Sequence, residues 1–113
     1  MEPLQRTLDW LRHPRHHLLG WHQPDYPPLL RRINSPPLAL FVDGDPSLLW
    51  HAGVAMVGSR SPTSGGRDNA RAFARAFALS GTSVISGMAA GIDAAAHEAA
   101  LAVDSGVTVA VLG

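Results

Sequence analysis

Apolar and polar positions follow one pattern before residue 54 and a different pattern after it. Residues 1–20 predict one short helix that ends near Pro14, with leucines at helical spacing: Leu4, Leu8 and Leu11. Six prolines interrupt residues 21–53, which therefore predict an extended connector. Within that connector, LALFVDGD (residues 38–45) predicts a strand closed by an Asp-Gly turn.

From residue 54 onward, short apolar runs alternate with alanine-rich segments. The apolar runs have the length and flanks of buried strands: VAMV (54–57), TSVI (82–85) and VTVAVL (107–112). The alanine-rich segments predict two helices, residues 67–80 and 93–103, and Gly81 supplies the stop of the first helix. The core-facing side of that first helix is predicted to contain Ala70, Phe73, Ala74, Phe77 and Ala78.

This order of strands and helices is typical of a parallel sheet with right-handed crossovers. The predicted fold class is α/β, a βαβαβ half of a Rossmann-like parallel sheet with strand order 3-2-1. Strand 54–57 then lies where the topology of a complete sheet reverses, which is where such folds bind ligands. Because the chain stops directly after the third strand, we expect the sheet to be truncated there and to continue in a longer protein.

Two glycine-rich loops follow adjacent strands of this predicted sheet, GSRSPTSGG (58–66) and SGMAAGID (86–93). Because the strands are parallel, both loops open at the same edge of the sheet and lead into helices. Free amides and the positive ends of two helix dipoles favour a bound anion, and phosphate is the first candidate. The alternative is that the loops contain only turn residues and helix caps.

Each loop residue has a predicted role at this edge. Gly58 lets the chain turn close to a ligand, Arg60 supplies the charge for a phosphodiester, and Gly65 relaxes the turn together with Gly66. Hydroxyl donors are expected from Ser59, Thr63 and Ser64. In the second loop, Gly87 and Gly91 resemble the glycines of the first, and Asp93 is placed to cap the next helix. His97 lies on the same helical face as Asp93, either as a ligand contact or as a packing residue.

Composition excludes several classes of protein. Nine arginines balance nine acidic residues and there is no lysine, so any nucleic-acid site must be local rather than protein-wide. The absence of cysteine excludes disulfides and thiolate metal sites. Neither GxGxxG nor a Walker lysine is present, so we expect no nucleotide cofactor, and the proline-broken HPRHH segment does not favour a metal. The N-terminus is unlike a signal peptide and no apolar run is long enough for a membrane helix, which predicts a cytoplasmic protein.

Three segments in order, VAMVGSRSPTSGG, SVISGMAAGIDAAAHEAAL and GVTVAVLG, resemble the DNA-processing protein A family, DprA or Smf. The upstream YPPLLRRINSPPLALFVDGD is similar to the segment that leads into that family's first strand. The resemblance covers residues 24–113 as the first part of an extended Rossmann-like domain. Residues 1–23 are then a short helical remnant or linker.

The resemblance implies a non-enzymatic protein that binds and protects single-stranded DNA and helps load the RecA recombinase during natural transformation. It also implies a homodimer in the full-length protein, with the RecA-contacting surface outside this chain. The DNA phosphate contacts would come from Gly58, Ser59, Arg60, Thr63, Ser64, Gly65, Ser86, Gly87 and Gly91. Asp93 and His97 would support the second loop.

Two alternatives remain open at this stage. Related Rossmann-like enzymes cleave nucleoside monophosphates with a downstream Pro-Gly-Gly loop and a glutamate, although GSR and GIDxxAH are unlike those enzymes. A nucleotide-sensing module without catalysis could use the same loops for a mononucleotide. Competition between a mononucleotide and an oligonucleotide would separate a sensor from a DNA-binding protein.

Overall fold

The computed structural model describes residues 2–113, and the chain forms two compact units that divide between Trp50 and His51. The first unit contains α1 (Pro3–Leu11), β1 (His16–Gly20), α2 (Pro28–Arg31), β2 (Ala39–Asp43) and a 3-10 helix (Pro46–Trp50). The second contains β3 (Gly53–Ala55), α3 (Ser64–Leu79), β4 (Ser83–Ser86), α4 (Ile92–Leu101) and β5 (Thr108–Ala110). The predicted division after residue 23 concerns the family's domain and stays a prediction.

The first unit has a two-stranded antiparallel sheet in which β1 pairs with β2, from His16 opposite Asp43 to Gly20 opposite Ala39. The prediction of helix or linker for residues 16–20 is therefore wrong, although α1 does end before Pro14. The connector also contains α2 and the 3-10 helix. Strand β1 forms because of a partner strand that is distant in the sequence, with Gly20 opposite Ala39 and His16 opposite Asp43, and local periodicity does not report such a partner.

The second unit confirms the predicted βαβαβ order. Its three strands are parallel in the order β3-β4-β5, with Val54 opposite Val84 and Val84 opposite Thr108. Two strands are shorter than predicted, β3 with Gly53–Ala55 and β5 with Thr108–Ala110, whereas β4 keeps its predicted length and is shifted by one residue to Ser83–Ser86. The elements that position the two loops are thus the predicted ones.

The core of the second unit consists mainly of small side chains. Buried residues from both helices, from β4 and from the segment after α4 form one cluster: Ala74, Ala78, Val84, Ala96, Ala100 and Val103. Alanines at four-residue spacing let α3 and α4 approach each other closely. Phe77 packs against this cluster, but Phe73 is 61% exposed, so its predicted place in the core is wrong. Ala74, its neighbour along the helix, holds the core position instead.

The free side of β3 leads to a prediction about association. Within the described residues β3 pairs only with β4, and Gly53 and Ala55 are exposed at the other edge. Unpaired strand edges bind further strands, so we expect the 113-residue chain to associate as its concentration rises. Light scattering over about a tenfold concentration range tests this. A constant monomer mass throughout would contradict it.

No helix among residues 2–113 is long and apolar enough to cross a membrane.

Candidate functional site

The first loop, residues 58–63, joins β3 to α3 and is shaped by two short hydrogen bonds. Thr63 is the N-cap of α3, and its Oγ1 accepts from the Gly66 amide at 3.0 Å. The Ser59 Oγ accepts from the Ser61 amide at 3.0 Å. A hydroxyl that accepts one hydrogen bond still carries its own hydrogen, so both side chains keep a donor for a ligand.

Several backbone amides of this loop have no protein acceptor. Among residues 2–113, no group accepts a hydrogen bond from the amides of Gly58, Ser59 or Arg60, nor from those of Ser64 and Gly65 in the first turn of α3. All five residues are exposed. Unpaired amides at the start of a sixteen-residue helix form a surface that favours an anion.

Charge in the second unit is divided between its two helices. All four arginines of residues 51–113 lie in the first loop or on α3, together with one aspartate. The other three acidic residues lie on α4 or just after it: Asp93, Glu98 and Asp104. Arg60 is exposed and makes no hydrogen bond or ion pair within the described part of the chain. The charge of Arg60 therefore lies in the same loop as these amides.

The second loop, residues 87–91, has a different electrostatic character because side chains of α4 accept hydrogen bonds from three of its amides. The Asp93 carboxylate Oδ2 accepts from the Gly87 amide at 3.1 Å and from the Ala89 amide at 3.4 Å. The His97 Nε2 accepts from the Met88 amide at 3.2 Å. In this conformation these amides are not free to donate to a phosphate, and a carboxylate lies beneath them.

Asp93 does not cap α4, so that prediction is wrong. The N-cap is Gly91, which has no side chain to accept a capping hydrogen bond, and Asp93 is the second residue of the helix. Its carboxylate reaches back to the loop because the two loop amides need a buried acceptor there, and both Asp93 and His97 are only 8% exposed. The sequence identified the residue and its face of the helix, but not the direction in which the side chain points.

Ser86 lies beneath the loops rather than on their surface. It is buried at the end of β4, and its Oγ donates to the Met56 carbonyl at 2.6 Å. This bond ties β4 to the residue that follows β3. The hydroxyl therefore fixes the spacing of the two strand ends from which the loops start.

The two loops contact each other at two glycines. Gly91 has a φ of +83°, and a Cβ there would lie 2.7 Å from the Arg60 carbonyl carbon. The Ile92 amide donates to the Ser59 carbonyl at 3.1 Å. A Cβ on Gly58 would lie 2.7 Å from Ile92 Cγ1. These glycines, expected to give a ligand access, also allow one loop to pack against the other.

Sequence reasoning missed three residues of this arrangement. Ile92 packs against Gly58, Thr108 lies against His97, and Met88 adopts a left-handed backbone conformation with a φ of +59°. A hydroxyl within the otherwise apolar third strand was the one available signal, and it pointed to Thr108. The other two positions depend on loop geometry, which has no periodicity.

A parallel sheet whose first loop combines free amides with an unpaired arginine defines a Rossmann-like protein with a candidate phosphate site. The model of the family described as DNA recombination-mediator protein A matches residues 17–113. The chain therefore belongs to that family, and the resemblance stated from the sequence is confirmed.

Curated relatives agree with this assignment. Protein Smf of Escherichia coli (strain K12) is 42% identical over 110 residues, which is 97% of this chain and 29% of that protein. Protein Smf of Synechocystis is 46% identical over 94 residues, 80% of this chain and 23% of that protein. DNA processing protein DprA of Bacillus subtilis is 35% identical, over 67% of this chain and 26% of that protein. The chain thus spans less than a third of the length of these relatives.

Two solved structures are similar to the fold described above. DprA from Streptococcus pneumoniae has a TM-score of 0.82 and 29% identity, covering 99% of this chain and 38% of that one. DNA processing protein A from Helicobacter pylori has a TM-score of 0.73 and 29% identity, covering 88% of this chain and 43% of that one. The latter structure is described as showing a single-stranded DNA binding mode.

Proposed function

We propose that this chain supplies the phosphate-binding loop of a protein that binds single-stranded DNA. The observation that carries the proposal is the first loop: among residues 2–113, no group accepts from the amides of Gly58, Ser59 and Arg60, and the guanidinium of Arg60 has no partner. Donors of this kind, with one arginine, match a phosphodiester oxygen. The single-stranded DNA described for the Helicobacter pylori relative supports the same class of ligand.

The proposed contacts are few and local. The chain has a formal net charge of zero, so the attraction comes from the arginines beside the first loop rather than from the whole surface. Each neutralised phosphate adds about one to the slope of binding against salt concentration. A pocket that contacts a few phosphates has a correspondingly shallow salt dependence, unlike a broad basic surface.

The second loop has a supporting part in this proposal. Its amides at positions 87, 88 and 89 are held by Asp93 and His97, while Gly91 and Ile92 contact the backbone of Ser59. Gly87 and Gly91 then act on DNA mainly by holding the first loop in place. Ser86 acts in the same way through the Met56 carbonyl.

The full-length protein is proposed to be a recombination mediator rather than an enzyme. The family description and the resemblance of the motifs support a role in natural transformation, in which the DNA is protected and passed to the RecA recombinase. A homodimer and a RecA-contacting surface outside residues 1–113 belong to the same proposal.

The replacement Arg60→Ala tests the proposed site. We expect single-stranded DNA to bind about tenfold more weakly or worse, because a charge-assisted hydrogen bond to phosphate is lost. The salt slope should also fall by about one. Fluorescence anisotropy with labelled single-stranded and duplex oligonucleotides at two salt concentrations measures both quantities, and the single strand should be preferred.

The matched control is Arg75→Ala, which removes the same charge from an exposed position on α3, well past its first turn. Its affinity should stay within about threefold of the parent, as expected for a change of net charge alone. An Arg60→Ala protein that binds like the parent would show that the first loop is a structural turn. Complete displacement of the oligonucleotide by a mononucleotide would favour a nucleotide sensor instead.

A further inference from the structure

A directed chain of hydrogen bonds runs from the second loop into the sheet. The Met88 amide donates to His97 Nε2 at 3.2 Å, and His97 Nδ1 lies 2.7 Å from the Thr108 hydroxyl oxygen. That hydroxyl donates to the Val84 carbonyl at 2.7 Å. The chain therefore links the loop, α4, β5 and β4 through two side chains that are shielded from most solvent.

The two ends of this chain fix the position of every hydrogen within it. A carbonyl can only accept, so Thr108 uses its one hydrogen on Val84 and must accept from His97 Nδ1. A backbone amide can only donate, so His97 Nε2 must present a lone pair to Met88. The network thus assigns His97 as the neutral tautomer that carries its hydrogen on Nδ1.

We infer that His97, set in this tautomer by Thr108, is a positioning residue that holds the second loop in its strained conformation. Met88 has a φ of +59°, a left-handed backbone region that is sterically unfavourable for a residue with a long side chain. Its side chain is 64% exposed and gains little from packing. The Met88 amide donates a hydrogen bond to His97, and this bond offsets the strain.

The second loop contacts the first loop, and only the consequence of this inference for DNA binding rests on the proposed function. With Met88 turned as it is, Gly91 and Ile92 reach the backbone of Ser59 and Arg60. Asp93 holds the amides on either side of Met88 and is the charged group on the helical face of His97. Thr108 from β5, Val84 from β4 and Met88 from the loop contribute only uncharged groups.

The first test uses the parent chain without DNA. Long-range nitrogen–proton NMR spectra of the imidazole, recorded at about pH 8 where an ordinary imidazole is neutral, distinguish the two tautomers. We expect His97 to carry its hydrogen on Nδ1 with a bare Nε2. A hydrogen on Nε2, or rapid averaging between the two nitrogens, would overturn the inference without involving DNA binding.

The second test compares two replacements of His97. His97→Gln can place a carbonyl oxygen near the position of Nε2, so the Met88 amide should exchange with solvent within about threefold of the parent rate. His97→Phe removes the acceptor, and exchange at Met88 should accelerate about tenfold or more. Equal exchange rates in both variants would show that His97 only fills space.

Thr108 provides a check that leaves the histidine in place. Thr108→Ser keeps the hydroxyl and should leave exchange at the Met88 amide within about threefold of the parent rate, whereas Thr108→Val leaves the Nδ1 hydrogen without an acceptor and should accelerate that exchange. These variants remain informative if His97→Phe fails to fold. An unchanged exchange rate at Met88 in Thr108→Val would contradict the inference that Thr108 sets His97 for this contact.

A single replacement isolates the strain at Met88. Met88→Gly removes the steric penalty of the left-handed conformation and keeps the amide, so the urea midpoint should rise relative to the parent. A midpoint below that of the parent would contradict strain at this position. If the loop behaves as inferred but single-stranded DNA does not bind the parent, then the proposed function fails while the inference about His97 stands.

Discussion

Replacing Gly91 with alanine is expected to destabilise the second unit and to separate its two loops. A Cβ at this position would lie 2.7 Å from the Arg60 carbonyl carbon, and the backbone φ of +83° is one that alanine rarely adopts. The backbone strain costs roughly 1–3 kcal/mol and the overpacking about as much again. We therefore expect a loss of about 2–6 kcal/mol in the free energy of unfolding, measured by urea denaturation.

Gly65→Ala is the matched control for this replacement. Gly65 lies in the first turn of α3, and a Cβ there meets nothing within 4 Å. Alanine at such a helical position should stabilise the protein by about 0.4–1 kcal/mol. A Gly91→Ala protein as stable as the parent would show that the loops do not need the observed contact. In that case, the Gly91→Ala protein should also bind DNA like the parent.

The second large effect is expected from Asp93→Ala. The carboxylate is buried, and its Oδ2 alone accepts from the Gly87 and Ala89 amides. Its removal leaves two amides without an acceptor, each at a cost of about 1–3 kcal/mol. We expect the free energy of unfolding to fall by about 2–5 kcal/mol and hydrogen exchange at both amides to accelerate.

Two further variants separate the acceptor from the charge. Asp93→Asn can keep an oxygen in the place of Oδ2, so its loss of stability should be less than about half that of Asp93→Ala. Asp104→Ala removes an exposed carboxylate that follows α4 and should change stability by less than about 0.5 kcal/mol. If Asp93→Asn were as damaging as Asp93→Ala, the charge itself rather than the accepted hydrogen bonds would hold the loop.

These stability effects bear on how DNA binding should be measured. Gly91 and Asp93 affect the first loop through the second one, whereas the exposed Arg60 side chain has no partner within residues 2–113. An Arg60→Ala protein should therefore unfold at the same urea concentration as the parent, to within about 0.5 kcal/mol. Affinity lost at unchanged stability separates a direct contact from a collapse of the loops.

The sequence by itself determined the architecture of the second unit and its family. Apolar runs of strand length alternate with alanine-rich helical segments, and right-handed crossovers leave few sheet orders for such an alternation, of which the predicted order 3-2-1 is the one observed. Glycines and hydroxyl residues follow two adjacent parallel strands, so the sequence also indicated that both loops lie at the same edge of the sheet. Local pattern was sufficient here because parallel βαβ units are built from contacts between consecutive elements.

Tertiary structure decided which residues perform which task within that architecture. Strand β1 exists through pairing with β2, and Asp93 turns to the loop instead of capping its helix. His97 Nδ1 lies against the hydroxyl of Thr108, eleven residues away on another element. Each of these outcomes depends on a group brought close only by folding, so no local periodicity could have revealed it.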